Sequence, residues 1–367
     1  VTRRNNFLPF LFATATGAMT AAAVIQYQKQ KAVALKTLAE NSAVIETRRG
    51  PMEVAVAGKG DPVVVIHGVL ASYQHGLVIG EALAEAGYQV IAISRFGYER
   101  SPLPEDASPA AQADTIAALL DALNIQQAAM VGVSAGGPSA AEFAIRHPER
   151  TSALIMMAAA TQPRDVHAEE THTPAMSMLL FGYTSDVFLW LMIHYELRML
   201  PFSVVERPTL QSLLDRPALM SMYRRLSWGL WPAANRRAGV DNDIAQIKRL
   251  KLSLKKIAAP TLVLHGTDDQ LVPYETGLYT ASQIPGAAFV RFEHGEHGFF
   301  VNQHDEAWPP IIDFLKATKK KAAPKKAASI KSGTPKPAAK KPSPARTPAA
   351  TDGKKPAARK RTVRKTS

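Results

Sequence analysis

The sequence predicts an α/β fold: a mostly parallel sheet flanked by helices, interrupted late by an inserted helical segment. Three observations carry this. From residue 43 onward, short β-branched runs alternate with helix-like stretches. The apolar runs show no in-out alternation, as expected of strands covered on both faces. The rhythm then stops at residue 162 and resumes at Pro260. Right-handed crossovers would place helices on both sides of such a sheet.

Taken in order, residues 42–56 read as a strand region broken by Gly50-Pro51, and residues 58–62 as a turn. Pro62 opens Val63-Val64-Val65-Ile66, which ends at His67-Gly68. Residues 77–85 have helical spacing, with Gly87 as the stop. Residues 88–93 form the next buried strand, followed by a Gly- and Pro-rich loop over 95–106. An amphipathic helix over 110–123 leads to a strand at 128–133. A helix continues through 140–145 and stops near His147-Pro148, and 153–158 is again a strand. Strands at 260–266 and 288–292 and a helix at 308–315 close the pattern. The core is therefore expected over 43–161 and 257–317. Residues 162–256 are expected to be a helical cap. That segment holds Trp190, Trp228 and Trp231, with Met176, Met178, Met192, Met199, Met220 and Met222, side chains suited to an adaptable apolar pocket.

Both ends differ from this body. Residues 7–27 carry no charge and follow Arg3 and Arg4; the run is long enough to span a bilayer. Residues 1–42 thus admit a signal anchor, a cleaved or twin-arginine export signal, or a buried or interfacial helix. The expectation is membrane association or export, with a cytoplasmic location as the alternative. Residues 318–367 hold 17 Lys and Arg against one acid, Asp352, a net of +16. That leaves −3 for the rest of a chain whose total is +13. The tail's Lys/Ala/Pro mixture, with almost no large apolar residue, predicts disorder and, through counterion release, polyanion binding (nucleic acid or an anionic envelope polymer). Its composition resembles that of histone-like tails. The chain has no cysteine, which excludes disulfides, thiolate metal sites and cysteine nucleophiles. Its 46% apolar content supports a substantial core.

Gly132-Val133-Ser134-Ala135-Gly136 has the Gly-x-Ser-x-Gly form of a sharp strand-to-helix turn that lifts a serine from the sheet. Small neighbours suit a turn in which a Cβ would clash. A serine hydroxyl needs a base to become nucleophilic, and an imidazole needs a carboxylate to fix its tautomer. His294, His297 and His304 are the late candidates for the base; Asp268, Asp269 and, more distantly, Asp165 are those for the acid.

Four motifs in order resemble the α/β-hydrolase superfamily, in its capped branch of lipase, esterase and cofactor-free haloperoxidase relatives. They are His67-Gly68-Val69, the turn at Ser134, Gly266-Thr267-Asp268-Asp269-Gln270-Leu271-Val272-Pro273, and Gly295-Glu296-His297. The resemblance covers roughly residues 52–315. It implies Ser134 as nucleophile, Asp269 as acid and His297 as base, in the chain order this fold uses. It also implies an oxyanion hole from the backbone N–H groups of Val69 and Ala135, with His67 holding the loop. No cofactor or metal is called for. Serine at 134 argues against the carboxylate-nucleophile relatives, haloalkane dehalogenases and epoxide hydrolases. One departure stands out: where relatives often carry an acid after the second core strand, this chain has Ser94-Arg95-Phe96-Gly97-Tyr98. The expected activity is cleavage of a carboxylic ester of an apolar small molecule or lipid through an acyl-enzyme. The alternatives are acyl transfer or C–C bond hydrolysis on the same triad, and a membrane-tethered polyanion-binding protein with secondary hydrolase activity.

Overall fold

Val63, Val64, Val65 and Ile66 are all buried, as a strand covered on both faces requires. Val63 and Val65 join one hydrophobic cluster, while Val64 and Ile66 join another on the opposite side of the sheet. The computed structural model describes residues 7–166, 168, 184–194 and 213–321, the side chains of 7–20, 320 and 321 aside. All lie within one compact unit of the chain, Val1–Ala328.

Eight strands form one sheet in the order β1-β2-β4-β3-β5-β6-β7-β8. They are β1 (Ala43–Thr47), β2 (Gly50–Gly58), β3 (Asp61–Ile66), β4 (Tyr88–Ile93), β5 (Ala128–Val133), β6 (Thr151–Met157), β7 (Thr261–Gly266) and β8 (Ala288–Phe292). β1 pairs antiparallel with β2 and β2 with β4; every other neighbour is parallel. Gly50-Pro51 therefore begins a strand rather than breaking one. The chain reverses at Arg48-Arg49, and Gly50 takes a φ of +107°, which favours glycine.

The helices are α1 (Phe7–Glu40), α2 (Tyr73–Glu85), α3 (Pro109–Ala122), α4 (Gly137–Arg146), α5 (Asp186–His194), α6 (Pro217–Gly229), α7 (Arg237–Lys248), α8 (Tyr274–Gln283), α9 (Phe299–Asn302) and α10 (His304–Lys321). On one face Val78, Ile79 and Leu83 of α2 pack in one cluster with Trp308, Ile311 and Leu315 of α10. On the other, Ile116 and Leu120 of α3 pack with Phe143 of α4. Each such buried side chain contributes about 1.5–3 kcal/mol of transfer free energy.

Between β6 and β7 the described residues are helical, with α5, α6 and α7 and no strand. Met220 and Met222 of α6 are buried in the cluster shared with α2 and α10. The three tryptophans gather elsewhere, around Tyr27 of α1. Its ring meets Trp190 edge-on at 5.6 Å and Trp231 at 5.9 Å. Beside it Lys31 pairs with Asp186 at 2.5 Å, and Trp190 Nε1 donates to Gln30 Oε1 at 2.6 Å.

Among the described residues no helix is long and apolar enough to cross a membrane. The apolar run expected to be a span is helical, but the side chains of residues 7–20 lie outside the description. The expected polyanion-binding tail lies outside it from residue 322 onward.

Candidate functional site

β5 ends at Val133, and Ser134 begins a single 3-10 turn, Ser134–Gly136, that runs into α4. Ser134 has a φ of +51°, a left-handed conformation that costs a non-glycine residue free energy. Its neighbours make the turn possible. A Cβ on Gly136 would stand 2.2 Å from Ile66 O, and one on Gly132 would stand 2.6 Å from Ala140 Cβ. Gly68 lies so close that its own Cβ would be 3.0 Å from Ser134 Cβ. The turns at the ends of β3 and β5 therefore touch through backbone.

The acid and base candidates separate cleanly. His297 Nδ1 lies 2.8 Å from Asp269 Oδ2, and the Asp269 side chain is fully buried. Asp269 Oδ1 accepts the N–H groups of Leu271 and Val272, both at 2.9 Å. Burial pushes this carboxyl up, but the His297 charge and hydrogen bonds from His265 and His297 hold it below the ordinary carboxylate range. Asp268 pairs instead with the exposed His294 at 3.3 Å, His304 with Asp305, and Asp165 with Lys248. Among the described residues no hydrogen bond joins Ser134 Oγ to His297. Such contacts commonly tighten only when substrate arrives.

Ala135 is the second residue of its turn, so its N–H has no acceptor within the helix. The other expected donor, Val69 N–H, belongs to the peptide whose carbonyl is Gly68 O. That oxygen accepts from His67 Nδ1 at 2.7 Å and from Arg95 Nη2 at 3.1 Å. In a trans peptide the Val69 N–H then points the opposite way. His67 Nε2 accepts from Arg95 N at 3.0 Å, which fixes the proton on Nδ1. Burial first, and then the Arg95 charge, holds His67 well below its usual pKa, so it stays neutral.

Arg95 is buried and holds Asp243 of α7 with both terminal nitrogens, at 2.6 and 2.5 Å. Burial and Asp243 push the Tyr98 hydroxyl well above its ordinary range, and it donates to Asp243 Oδ2 at 2.6 Å. An acid does reach the loop after β4, from β2. Glu53 is buried, accepting from Ser94 Oγ at 2.8 Å and Arg100 Nε at 2.7 Å. Sequence reading missed Glu53, Arg95 and Asp243 as partners. The one signal was the segment 94–98 itself, which lacks the acid often found after that strand.

A cavity of about 400 Å³ opens onto Ser134, Val69 and Ala135. Its apolar wall includes Leu70, Val240, Ile244, Ile247, Leu271 and Val272. None of the described lining residues is a methionine or an aromatic, contrary to expectation. Met220 and Met222 pack against the core and Trp190, Trp228 and Trp231 against α1 instead, while Met176, Met178 and Met199 lie outside the described residues. Arg164, half-buried, is the one basic residue among the described lining residues, and its Nη1 donates to Leu271 O.

Two backbone turns face a cavity where β3 and β5 end side by side, with helices on both faces of the sheet. That placement is where α/β sheets bind their ligands, outside the carboxyl ends of the parallel strands. The alpha/beta hydrolase fold family matches residues 61–303; the chain belongs to that family and is a hydrolase of that fold. It is similar to a putative non-heme haloperoxidase of Mycobacterium phage D29, 30% identical over 67% of this chain and 83% of the relative. A 2-hydroxymuconate semialdehyde hydrolase of Pseudomonas putida is 30% identical over 70% of this chain and 87% of its own. Among solved structures, an alpha/beta hydrolase fold protein from Nakamurella multipartita aligns with a TM-score of 0.61 at 29% identity. That alignment covers 76% of this chain and 98% of the other.

Proposed function

We propose that the chain is a serine hydrolase cleaving a carboxylic ester of an apolar small molecule or lipid through an acyl-enzyme. The observation that carries this is the strained Ser134 facing an aliphatic cavity, one wall of which, Leu271 and Val272, is hydrogen-bonded to a buried Asp269 that also holds His297. In this reading Ser134 Oγ attacks the ester carbonyl carbon and its proton passes to His297 Nε2. The carbonyl oxygen becomes an oxyanion held by the N–H groups of Val69 and Ala135. The intermediate collapses, the C–O bond breaks, and the alcohol leaves with the proton from His297. Water, deprotonated by the same imidazole, then frees the acid. Asp269 keeps the His297 proton on Nδ1 and stabilises the imidazolium. Residues 162–256 act as a cap, α7 supplying the aliphatic wall. Ser134→Ala should abolish p-nitrophenyl ester turnover in a folded protein; undiminished turnover would overturn the proposal.

C–C bond hydrolysis is a second reading, supported by Arg164 at the cavity. A guanidinium there suits a substrate carboxylate. The semialdehyde hydrolase relative shows that such chemistry is found on related chains. Incubation with an acidic dienone, with mass analysis of the fragments, separates it from ester cleavage. The basic tail is proposed to bind a polyanion, tested by deleting residues 322–367 and measuring salt-dependent DNA binding alongside esterase activity.

A further inference from the structure

The turn that carries Val69 is gripped on both sides by buried guanidinium groups. On one side Arg95 Nη2 donates to Gly68 O at 3.1 Å; on the other, Arg236 Nη1 donates to Leu70 O at 2.7 Å. Each guanidinium belongs to an ion pair that crosses between the sheet's loops and the inserted segment, in opposite senses. Arg95 follows β4 and is held by Asp243 of α7. Arg236 precedes α7 and is held by Glu99, from the loop after β4. All four side chains are less than a tenth exposed.

The backbones are tied as well. Gly239 N donates to Gly97 O at 3.0 Å, and Glu99 N donates to Asn235 O at 3.1 Å. A Cβ on Gly239 would lie 2.2 Å from the Tyr98 ring, so α7 sits directly on this loop.

We propose that Arg95 and Arg236 are positioning residues that couple the inserted segment to the oxyanion site. Held by Asp243 and Glu99, they fix the peptides on either side of Val69 and so aim its N–H. Displacing α7 takes Asp243 from Arg95 and carries Arg236 away from Glu99 and Leu70 O, which loosens both carbonyls and leaves the donor unaimed. The inserted segment thus sets whether the site can stabilise an oxyanion, in addition to covering it. The proposal rests on the reading of Val69 as an oxyanion donor.

The test uses the full chain with Arg95→Lys, which keeps the charge but loses the fork that reaches Gly68 O and Asp243 together. Asp243→Asn serves as a second variant should the first not fold. Arg225→Ala is the control, since Arg225 pairs with Glu81 across an exposed contact between the inserted segment and α2. Each protein is assayed for kcat and KM on a p-nitrophenyl ester. Each is then titrated with a trifluoromethyl ketone, which adds the serine oxygen and places an oxyanion in the site, and with the matching methyl ketone. Expected for Arg95→Lys is a kcat lowered ~10–100-fold, somewhat less than outright loss of a donor. KM and methyl-ketone affinity stay within about threefold, while trifluoromethyl-ketone affinity falls in step with kcat. Arg225→Ala matches wild type. A folded Arg95→Lys or Asp243→Asn with wild-type kcat overturns the coupling, as does an equal loss of both ketones. A wild-type protein that binds the two ketones equally overturns the oxyanion reading itself.

Discussion

Asp269→Asn separates charge from shape at the candidate acid. Asp269 Oδ1 accepts two backbone N–H groups at 2.9 Å, and Oδ2 accepts from His297 Nδ1 at 2.8 Å. Asparagine fits the same space, and its oxygen keeps both backbone bonds. Its amide nitrogen then faces His297 Nδ1 and can only donate, so the imidazole must carry its proton on Nε2. That tautomer cannot accept a proton from Ser134. The expected loss in kcat is ~10⁴-fold, the size seen when the same exchange is made in a serine-protease triad. At ~1.36 kcal/mol per factor of ten this is about 5.4 kcal/mol of barrier. KM should hardly move, because the Asp269 side chain is fully buried behind His297. Asp268→Asn, at an exposed pair, should behave as wild type. Steady-state kinetics on a p-nitrophenyl ester, with thermal unfolding as the folding control, measures all of this. A folded Asp269→Asn retaining more than a tenth of wild-type kcat would refute the reasoning, and so would a collapse confined to Asp268→Asn.

Three further outcomes follow from the geometry. Gly136→Ala brings a Cβ to 2.2 Å from Ile66 O and 2.6 Å from His67 O, both backbone, so β3 or the elbow must shift. It should cost ~1–3 kcal/mol and lower esterase activity as well; a thermal midpoint equal to wild type would contradict the close approach. Asp114 is bound by Arg146, His147 and Arg49 at 2.8–3.0 Å. The Arg146 hydrogen bond, against burial and aided by His147, brings its pKa from 3.8 down to about 2. A depressed carboxylate stabilises above its unfolded pKa, and that contribution is lost as pH falls through the window from 3.8 to about 2. Asp114→Asn should therefore cost ~1–2 kcal/mol at pH 7, discounted for two half-exposed arginines, and progressively less toward pH 2. Urea unfolding at pH 7 and pH 3 checks the sign, an equal cost at both being the contrary result. Tyr27→Ala removes the ring between Trp190 and Trp231 and should cost about 2–3 kcal/mol, toward the low side for a buried aromatic. A red shift in tryptophan emission should accompany it; unchanged emission and midpoint would mean α1 is not anchored there.

Much of the sheet was legible because its strands announce themselves locally. Residues 88–93 and 128–133 read as strands with the bounds the structure gives them. The elbow was legible for a related reason, since Gly132 and Gly136 are demanded by backbone contacts two residues from Ser134. What escaped was anything completed across long sequence separation. Glu53 looks like an ordinary strand residue until Ser94 and Arg100 close on it from 41 and 47 residues away. Asp243 reads as a solvated helix carboxylate, yet it meets Arg95 148 positions earlier. Composition misled in the inserted segment: Met220 and Met222 suggested a pocket, but helical spacing turned them toward the sheet's cluster. The pocket wall fell instead to Val240, Ile244 and Ile247, one stripe of α7.

Why the turn at Val69 should be held by charges rather than by apolar packing has a physical answer. Buried ion pairs are weak sources of stability, because desolvation offsets much of their attraction, and well-packed apolar replacements are often as stable. Apolar side chains, however, cannot satisfy carbonyl oxygens. Gly68 O faces into protein, opposite the N–H of Val69, and Leu70, at a φ of +59°, also presents its carbonyl inward. Buried carbonyls left unpaired would each cost about 1–3 kcal/mol. A guanidinium supplies several donors in a rigid plane, so one group can bond a carbonyl and still be neutralised by a carboxylate on a second element. Arg95 does this with Gly68 O and Asp243, and Arg236 with Leu70 O and Glu99. The cation at position 95, within the segment that departed from the family pattern, follows from the same requirement: two buried carbonyls need donors whose own charge is balanced by a carboxylate from a second element.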